Sequence, residues 1–267
     1  MDDFRGDVYM ATVLLERNRW TVEKRPSFRV SDWLERFADA GFDGIELWEN
    51  HAALCAPEEL AALESSALPI AIFSSYAALD DACAAERERV ADLAGRLRAR
   101  RIKFNFGSDP SQAEAYVRNL KEWRTLLPQD CALLCECHPG TIAEEPAGAA
   151  ELFGLLDGIP VQVIVHAFFL PADRLRESFK CHGRAVTHVH VQVVDEEGAR
   201  QRLDWDADLV KERLHILREE GFSGSLSLEF TGGTAAPDED IEALFRNAVA
   251  DLDFLRDALE EERLTGQ

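Results

Sequence analysis

Along the chain, short runs of β-branched and apolar residues alternate with longer stretches whose apolar positions recur at helical spacing. The pattern predicts eight strands, over residues 8–15, 44–48, 69–74, 101–106, 132–137, 161–167, 185–191 and 225–230. Between them it predicts helices over 30–40, 57–64, 80–100, 111–127, 146–156, 171–179, 206–220 and 238–262. Boundary chemistry agrees: Asp109-Pro110-Ser111 and Pro237-Asp238 open helices, while Gly41, Gly158 and Gly221 follow helix ends. Strict strand–helix alternation calls for a parallel sheet, whose neighbouring strands must be joined by crossovers. A doubly wound open sheet shares that alternation but would be expected to carry a glycine-rich turn after its first strand. Glu16-Arg17-Asn18-Arg19-Trp20 stands there instead, which favours the closed form of α/β fold, a (β/α)8 TIM barrel. No linker or low-complexity tract interrupts the series, so residues 1–267 are expected to form a single domain with a frayed tail from Glu260.

Strand periodicity then sorts side chains by face, because successive residues point to opposite sides of a sheet. In a barrel one side meets the outer helices and the other meets the axis. On the last strand Leu226, Leu228 and Phe230 take the helix side, which turns Glu229 inward. On the seventh, Val189, Val191 and Val193 alternate with His188, His190 and Gln192, so both histidines point inward. On the fifth, Leu133, Cys135 and Cys137 leave Glu136 and His138 on the inner face; on the sixth, Val163 and Val165 leave His166 inside. Four strands thus deliver a carboxylate or an imidazole to the rim where barrel active sites sit. Such groups converging in a partly buried place would repel one another or go unsatisfied unless something compensates, and a divalent cation does so economically. Two carboxylates with two imidazoles suit Mn²⁺, Co²⁺, Fe²⁺ or Zn²⁺ better than Mg²⁺ or Ca²⁺, which favour oxygen shells. The expected metal set is Glu136, His166, His190 and Glu229.

Other residues share the inner face. Glu46 alternates with Ile45 and Leu47 and is expected as a substrate contact, or as an acceptor or salt-bridge partner behind the metal ligands. His51, placed in the loop after that strand, is expected within reach of the pocket. Lys103 and Asn105 share a face of the fourth strand, as substrate contacts or as a structural pair. A strand histidine such as His188 also has a plain alternative, that of a hydrogen-bonded structural residue.

Composition narrows the partners. Acidic residues outnumber basic ones 50 to 29, a formal charge of −21, which repels phosphate and disfavours nucleic acid and anionic lipid as partners. No apolar run approaches a membrane span and Met1-Asp2-Asp3-Phe4-Arg5 lacks a basic, then hydrophobic leader, so a cytoplasmic location is the default expectation. The six cysteines are scattered without zinc-ribbon spacing; Cys135 and Cys137, flanking Glu136, are expected to pack as small apolar residues rather than to pair.

At these residues the chain resembles the xylose-isomerase-like TIM barrel superfamily, the sugar phosphate isomerase/epimerase group. The resemblance rests on Gly41-Phe42-Asp43-Gly44-Ile45-Glu46-Leu47-Trp48 followed by His51, and on Cys135-Glu136-Cys137-His138-Pro139-Gly140-Thr141. It continues through His188-Val189-His190-Val191 and Gly221-Phe222-Ser223-Gly224 leading to Leu228-Glu229. It implies a Glu, Asp, His, Glu metal shell drawn from the last four strands, which falls on Glu136, His166, His190 and Glu229. His166 therefore stands where the group has Asp, and Val193 where it often has Asp. The first departure removes a negative charge and favours nitrogen-accepting metals.

The resemblance further implies a small sugar or polyol substrate and a metal-dependent isomerase or epimerase acting through an enediolate-like intermediate. Glu136 and Glu229 would be the acid/base pair, with His138 and His188 as proton relays. Dehydratase or lyase chemistry of the inosose or dehydroshikimate type shares the first proton transfer, and a sugar-binding barrel that has lost its metal is the non-catalytic alternative. Members of the group often pair through outer helices, so a homodimer is compatible with the resemblance.

Overall fold

The computed structural model describes residues 6–265. Eight parallel strands close into a barrel: β1 (Val8–Ala11), β2 (Gly44–Trp48), β3 (Ile70–Ser74), β4 (Arg101–Phe104), β5 (Ala132–Glu136), β6 (Val161–Val165), β7 (Val186–Val191) and β10 (Ser225–Leu228). Each strand pairs with its sequence neighbours, and β10 returns to β1 through Val8↔Leu226 and Met10↔Leu228. Between β7 and β10 a hairpin of β8 (Val193–Val194) and β9 (Arg200–Gln201) stands on the rim. The outer layer comprises α1 (Leu34–Ala40), α2 (Glu49–Ala53), α3 (Pro57–Glu64), α4 (Ala84–Arg96), α5 (Ala113–Leu126), α6 (Pro146–Gly154), α7 (Ala172–His182), α8 (Ala207–Glu219) and α9 (Ile241–Thr265). Among the described residues no helix is long and apolar enough to cross a membrane.

All eight predicted strands form, but most end earlier than expected. Residues Thr12–Leu15 leave the ladder as a 3-10 turn, because the Thr12 hydroxyl accepts from the Trp48 backbone at 2.9 Å and ties that turn to β2. Asn105, His166 and Glu229 lie just past the last strand residue, where side chains face the mouth of the barrel. Two corrections concern helices. His51 sits on α2 rather than in a loop, and the expected frayed tail from Glu260 is helical as far as Thr265; residues 266–267 lie outside the described part. Gly41 closes α1 at φ 96°, a left-handed conformation that costs glycine nothing and most other residues about 1 kcal/mol or more.

The core divides as the strand parity requires. Val163 and Val165, Val189 and Val191, and Leu226 and Leu228 belong to the large cluster between strands and helices. A second, small cluster of Tyr9, Ala71, Ile72, Leu134 and Ile164 fills the barrel interior. Ile72, Leu134 and Ile164, fully buried, each contribute on the order of 1.5–3 kcal/mol. The interior plug is apolar only in part, and the polar inner-face residues are stacked above and beside it. The cysteines are free; Cys135 is buried in the outer core layer, its thiol pushed up by burial.

Candidate metal centre

Four strand ends converge on His190, the penultimate residue of β7. Its Nε2 lies 3.2 Å from both carboxylate oxygens of Glu46 on β2. Its Nδ1 faces the other way, 3.4 Å from Glu136 Oε1 and 3.5 Å from Glu229 Oε1. His166 completes the group, with Nε2 3.1 Å from Glu136 Oε1 and Nδ1 3.7 Å from Glu229 Oε2. Donor atoms of Glu136, His166 and His190 all lie within 4.8 Å of one another, and Glu229 approaches both imidazoles. The four residues expected from the sequence as a metal set are thus brought to one place.

The charges in this cluster hold one another. Burial pushes the Glu136 carboxyl up, but the Lys103 ammonium, the hydrogen bond of His166 and the charge of His190 outweigh it and hold the group well below the usual carboxylate range. Lys103 Nζ is 2.8 Å from Glu136 Oε2, and the Asn105 amide donates to the same oxygen at 3.1 Å and to the Glu136 carbonyl at 3.0 Å. Oε2 is therefore spoken for, and Oε1 is the oxygen turned to the imidazoles. Burial opposes the Lys103 charge most strongly, but the attraction and hydrogen bond of Glu136, with Tyr76 and Glu46 adding to them, together outweigh it, and Lys103 stays charged. Burial likewise opposes the charge on His190 and on Glu46, and in both the mutual attraction wins, with Glu229 and Glu136 adding to the field on His190.

A divalent cation fits these residues. Among the described residues the buried His190 Nδ1 has no hydrogen-bond partner, although two carboxylates lie beside it. Such an orphan in the interior is costly unless it binds something. Glu46 accepts from Nε2–H, as a carboxylate behind a metal-binding histidine does, while the surrounding carboxylates hold a second proton on Nδ1, which a cation would displace on taking up that nitrogen. Two carboxylates and two imidazoles form a mixed oxygen and nitrogen set of the kind first-row transition metals favour.

The remaining expected site residues fall in three places. Lys103, Asn105 and Glu46 touch the cluster, but through its carboxylates and imidazole rather than from open space. His188 lies a layer deeper, wholly buried, with Nδ1 2.8 Å from Ser225 Oγ and Nε2 2.9 Å from Ser227 Oγ. Burial pushes its imidazole down to about 3, so it is neutral; its Nε2 also lies 3.5 Å from Glu46, which places it behind the cluster rather than at the mouth where the relay role is expected. His51 is also displaced from the pocket: it is buried between Thr12 and Glu16, at 2.9 and 3.1 Å, with both ring nitrogens engaged. His138 lies beyond the end of β5 and is exposed, its Nδ1–H donating to the Pro139 carbonyl at 2.7 Å.

Beside the cluster opens a cavity of about 770 Å³, walled by His138, His166, Phe169, Gln192 and Arg200 among others. Gln192 donates to Glu229 Oε2 at 2.8 Å, and the Lys103 ammonium lies 4.4 Å from the centre of the Tyr76 ring. Gln192 shares its parity with His188 and His190, a signal that could have marked it; Tyr76, in a loop, has none.

No protein-family model matches the chain, and no curated protein sequence matches it. Solved structures do. The chain is similar to the probable 3-DHS dehydratase AsbF involved in petrobactin synthesis from Bacillus anthracis, at 16% identity and a TM-score of 0.61, with 95% of this chain and 97% of that one covered. It is similar to a xylose isomerase-like TIM barrel protein from Mycobacterium smegmatis in complex with magnesium, at 17% identity and a TM-score of 0.64, covering 97% and 100%. It is also similar to the 3-keto-D-glucoside 4-epimerase YcjR from E. coli, at 16% identity and a TM-score of 0.57, covering 97% and 100%. At these identities the likeness is one of architecture: the chain has the fold of the xylose-isomerase-like TIM barrels.

Proposed function

We propose that this chain is a divalent-metal-dependent isomerase or epimerase of a sugar or polyol, with its centre at Glu136, His166, His190 and Glu229. The observation that carries the reading is the buried Nδ1 of His190, without a hydrogen bond among the described residues, faced by two carboxylates and with the ring pinned from behind by Glu46. A cation held there would supply Lewis-acid stabilisation of negative charge developing on vicinal substrate oxygens. The residues divide the other tasks. Glu136, fixed as an anion by Lys103 and Asn105, is a holding group rather than a proton carrier. Among the described residues the Glu229 side chain receives a single hydrogen bond, from Gln192, and it is 14% exposed, so it is the carboxylate better placed to exchange a proton with a substrate. His138 donates from Nδ1 to Pro139, which leaves Nε2 as an acceptor on the cavity wall and makes it the second proton-transfer group. The similarity in fold to an epimerase and a dehydratase is compatible with this chemistry.

The test is metal analysis of protein purified without chelator, followed by incubation with keto-sugars and inososes in deuterated water. The reading expects near-stoichiometric transition metal and solvent deuterium in a product of unchanged formula. Loss of water would assign a dehydratase instead; absence of both metal and label transfer would replace the enzyme by a sugar-binding barrel.

A further inference from the structure

The cavity beside the centre contains two arginines in opposite situations. Arg174 is neutralised by Glu145 and Glu177, each at 2.5 Å. Arg200, on β9, has neither an ion pair nor a side-chain hydrogen bond among the described residues, and its Nε is buried without a partner. Its guanidinium lies 5.0 Å from the centre of the Trp20 ring and 5.1 Å from that of Phe230, the residue after Glu229. Burial works against its charge, and Glu229 is the carboxylate that partly offsets this. Guanidinium remains charged in proteins, so a half-buried one without a counter-ion carries part of the cost of desolvation. A cation–π contact with these rings uses none of the N–H donors, which stay available in the fork that suits a carboxylate or a phosphate. Trp20 is 55% exposed, so this contact stands at the surface of the rim rather than in the core. Charge points the same way. With Glu46, Glu136 and Glu229 gathered at the centre of a chain of formal charge −21, an anionic group would not remain near the mouth without a dedicated cation.

We propose that Arg200 is an oxyanion-recognising residue of the site, and that the substrate is a sugar or polyol carrying one carboxylate or phosphate. The guanidinium receives that group while the rest of the molecule lies over the cluster. This rests on the reading of the Glu136, His166, His190 and Glu229 cluster as the reacting centre. The net charge of the chain does not oppose such a substrate, because the local cation matters more than the distant sum.

Three ligands that differ only at carbon 6 test it: glucose, glucuronate and glucose 6-phosphate, titrated calorimetrically into the wild-type protein, Arg200→Gln and Arg200→Lys. An isotherm for Mn²⁺ alone is recorded first on each protein, so loss of metal binding counts against the centre and is read separately from the charge preference. The wild type is expected to bind glucuronate or glucose 6-phosphate at least tenfold more tightly than glucose, and the tighter of the two identifies the oxyanion. Arg200→Gln should lose that margin while keeping the wild-type affinity for Mn²⁺, and Arg200→Lys should regain only part of it. Equal affinity for the three ligands, failure of both anions to bind, or a margin that survives in Arg200→Gln would overturn the assignment.

Discussion

His190 Nε2 lies equidistant, at 3.2 Å, from the two carboxylate oxygens of Glu46, a residue 144 positions away in the chain and across the barrel. The pairing has a consequence for the opposite nitrogen. With Nε2 committed as a donor to Glu46, Nδ1 is the nitrogen left to bind a cation. Glu46→Gln keeps the shape but removes the charge, so divalent-metal affinity should fall about 10–100-fold with the fold retained. Calorimetric titration with Mn²⁺ and a thermal melt of the metal-free protein check the two halves of that statement.

Lys103 and Glu136 form a buried pair at 2.8 Å, with both side chains almost inaccessible. Removing one partner of such a pair leaves a charge stranded in the interior, which costs about 3–5 kcal/mol. Lys103→Met should therefore lower stability by about that much in the metal-free protein, and the double variant Lys103→Met/Glu136→Gln should recover most of the loss. Denaturant midpoints of the two variants and the wild type measure it. Equal losses in the single and double variants would show that packing of the lysine stem, not charge, is what matters.

His166 offers a nitrogen at a position where an oxygen would serve a harder metal. His166→Asp should move selectivity away from Zn²⁺ and Co²⁺ and towards Mn²⁺ and Mg²⁺. Competition between metals, read as relative affinities in wild type and variant, tests this; an unchanged ranking would remove His166 from the ligand set.

Asp251 on α9 ties two loops of the rim together, accepting from the Leu203 backbone at 2.9 Å and from the Thr231 hydroxyl at 2.5 Å. Leu203 follows the hairpin that carries Arg200, and Thr231 stands two residues after Glu229. Burial pushes the carboxyl up to about 6 despite these hydrogen bonds. Between about 3.8 and about 6 the folded protein therefore holds a proton that the unfolded chain releases, so the contribution of Asp251 to stability falls as pH rises through that window. The full difference is on the order of 3 kcal/mol. Asp251→Asn should remove this component, so the wild-type minus variant stability should decline from pH 4 to pH 7. A constant difference over that range would contradict it.

What the sequence made legible follows from periodicity. The alternation around Val189 and Val191, or around Leu226 and Leu228, is strict because one strand face is packed against helices, and it forces His190 and Glu229 onto the other. Those positions, with Glu136 and His166, were readable for that reason. Parity gives the face and not the depth, so it could not separate His190 at the mouth from His188, a layer below among two serines. Nor could it show that Lys103 and Asn105 are consumed by Glu136, since that contact spans strands whose register only folding sets. Arg200 and Tyr76 lie on the hairpin and in a loop, where side-chain direction follows no period.

The central claim is that one cation binds between Glu136, His166, His190 and Glu229, and its most direct measurement is a calorimetric titration of chelator-stripped protein with Mn²⁺. Wild type should bind one equivalent. His190→Asn should bind more than about a hundredfold more weakly, with the melting temperature of the metal-free protein little changed. A wild type without stoichiometric binding, or a His190→Asn variant that binds as tightly as wild type, would contradict the account.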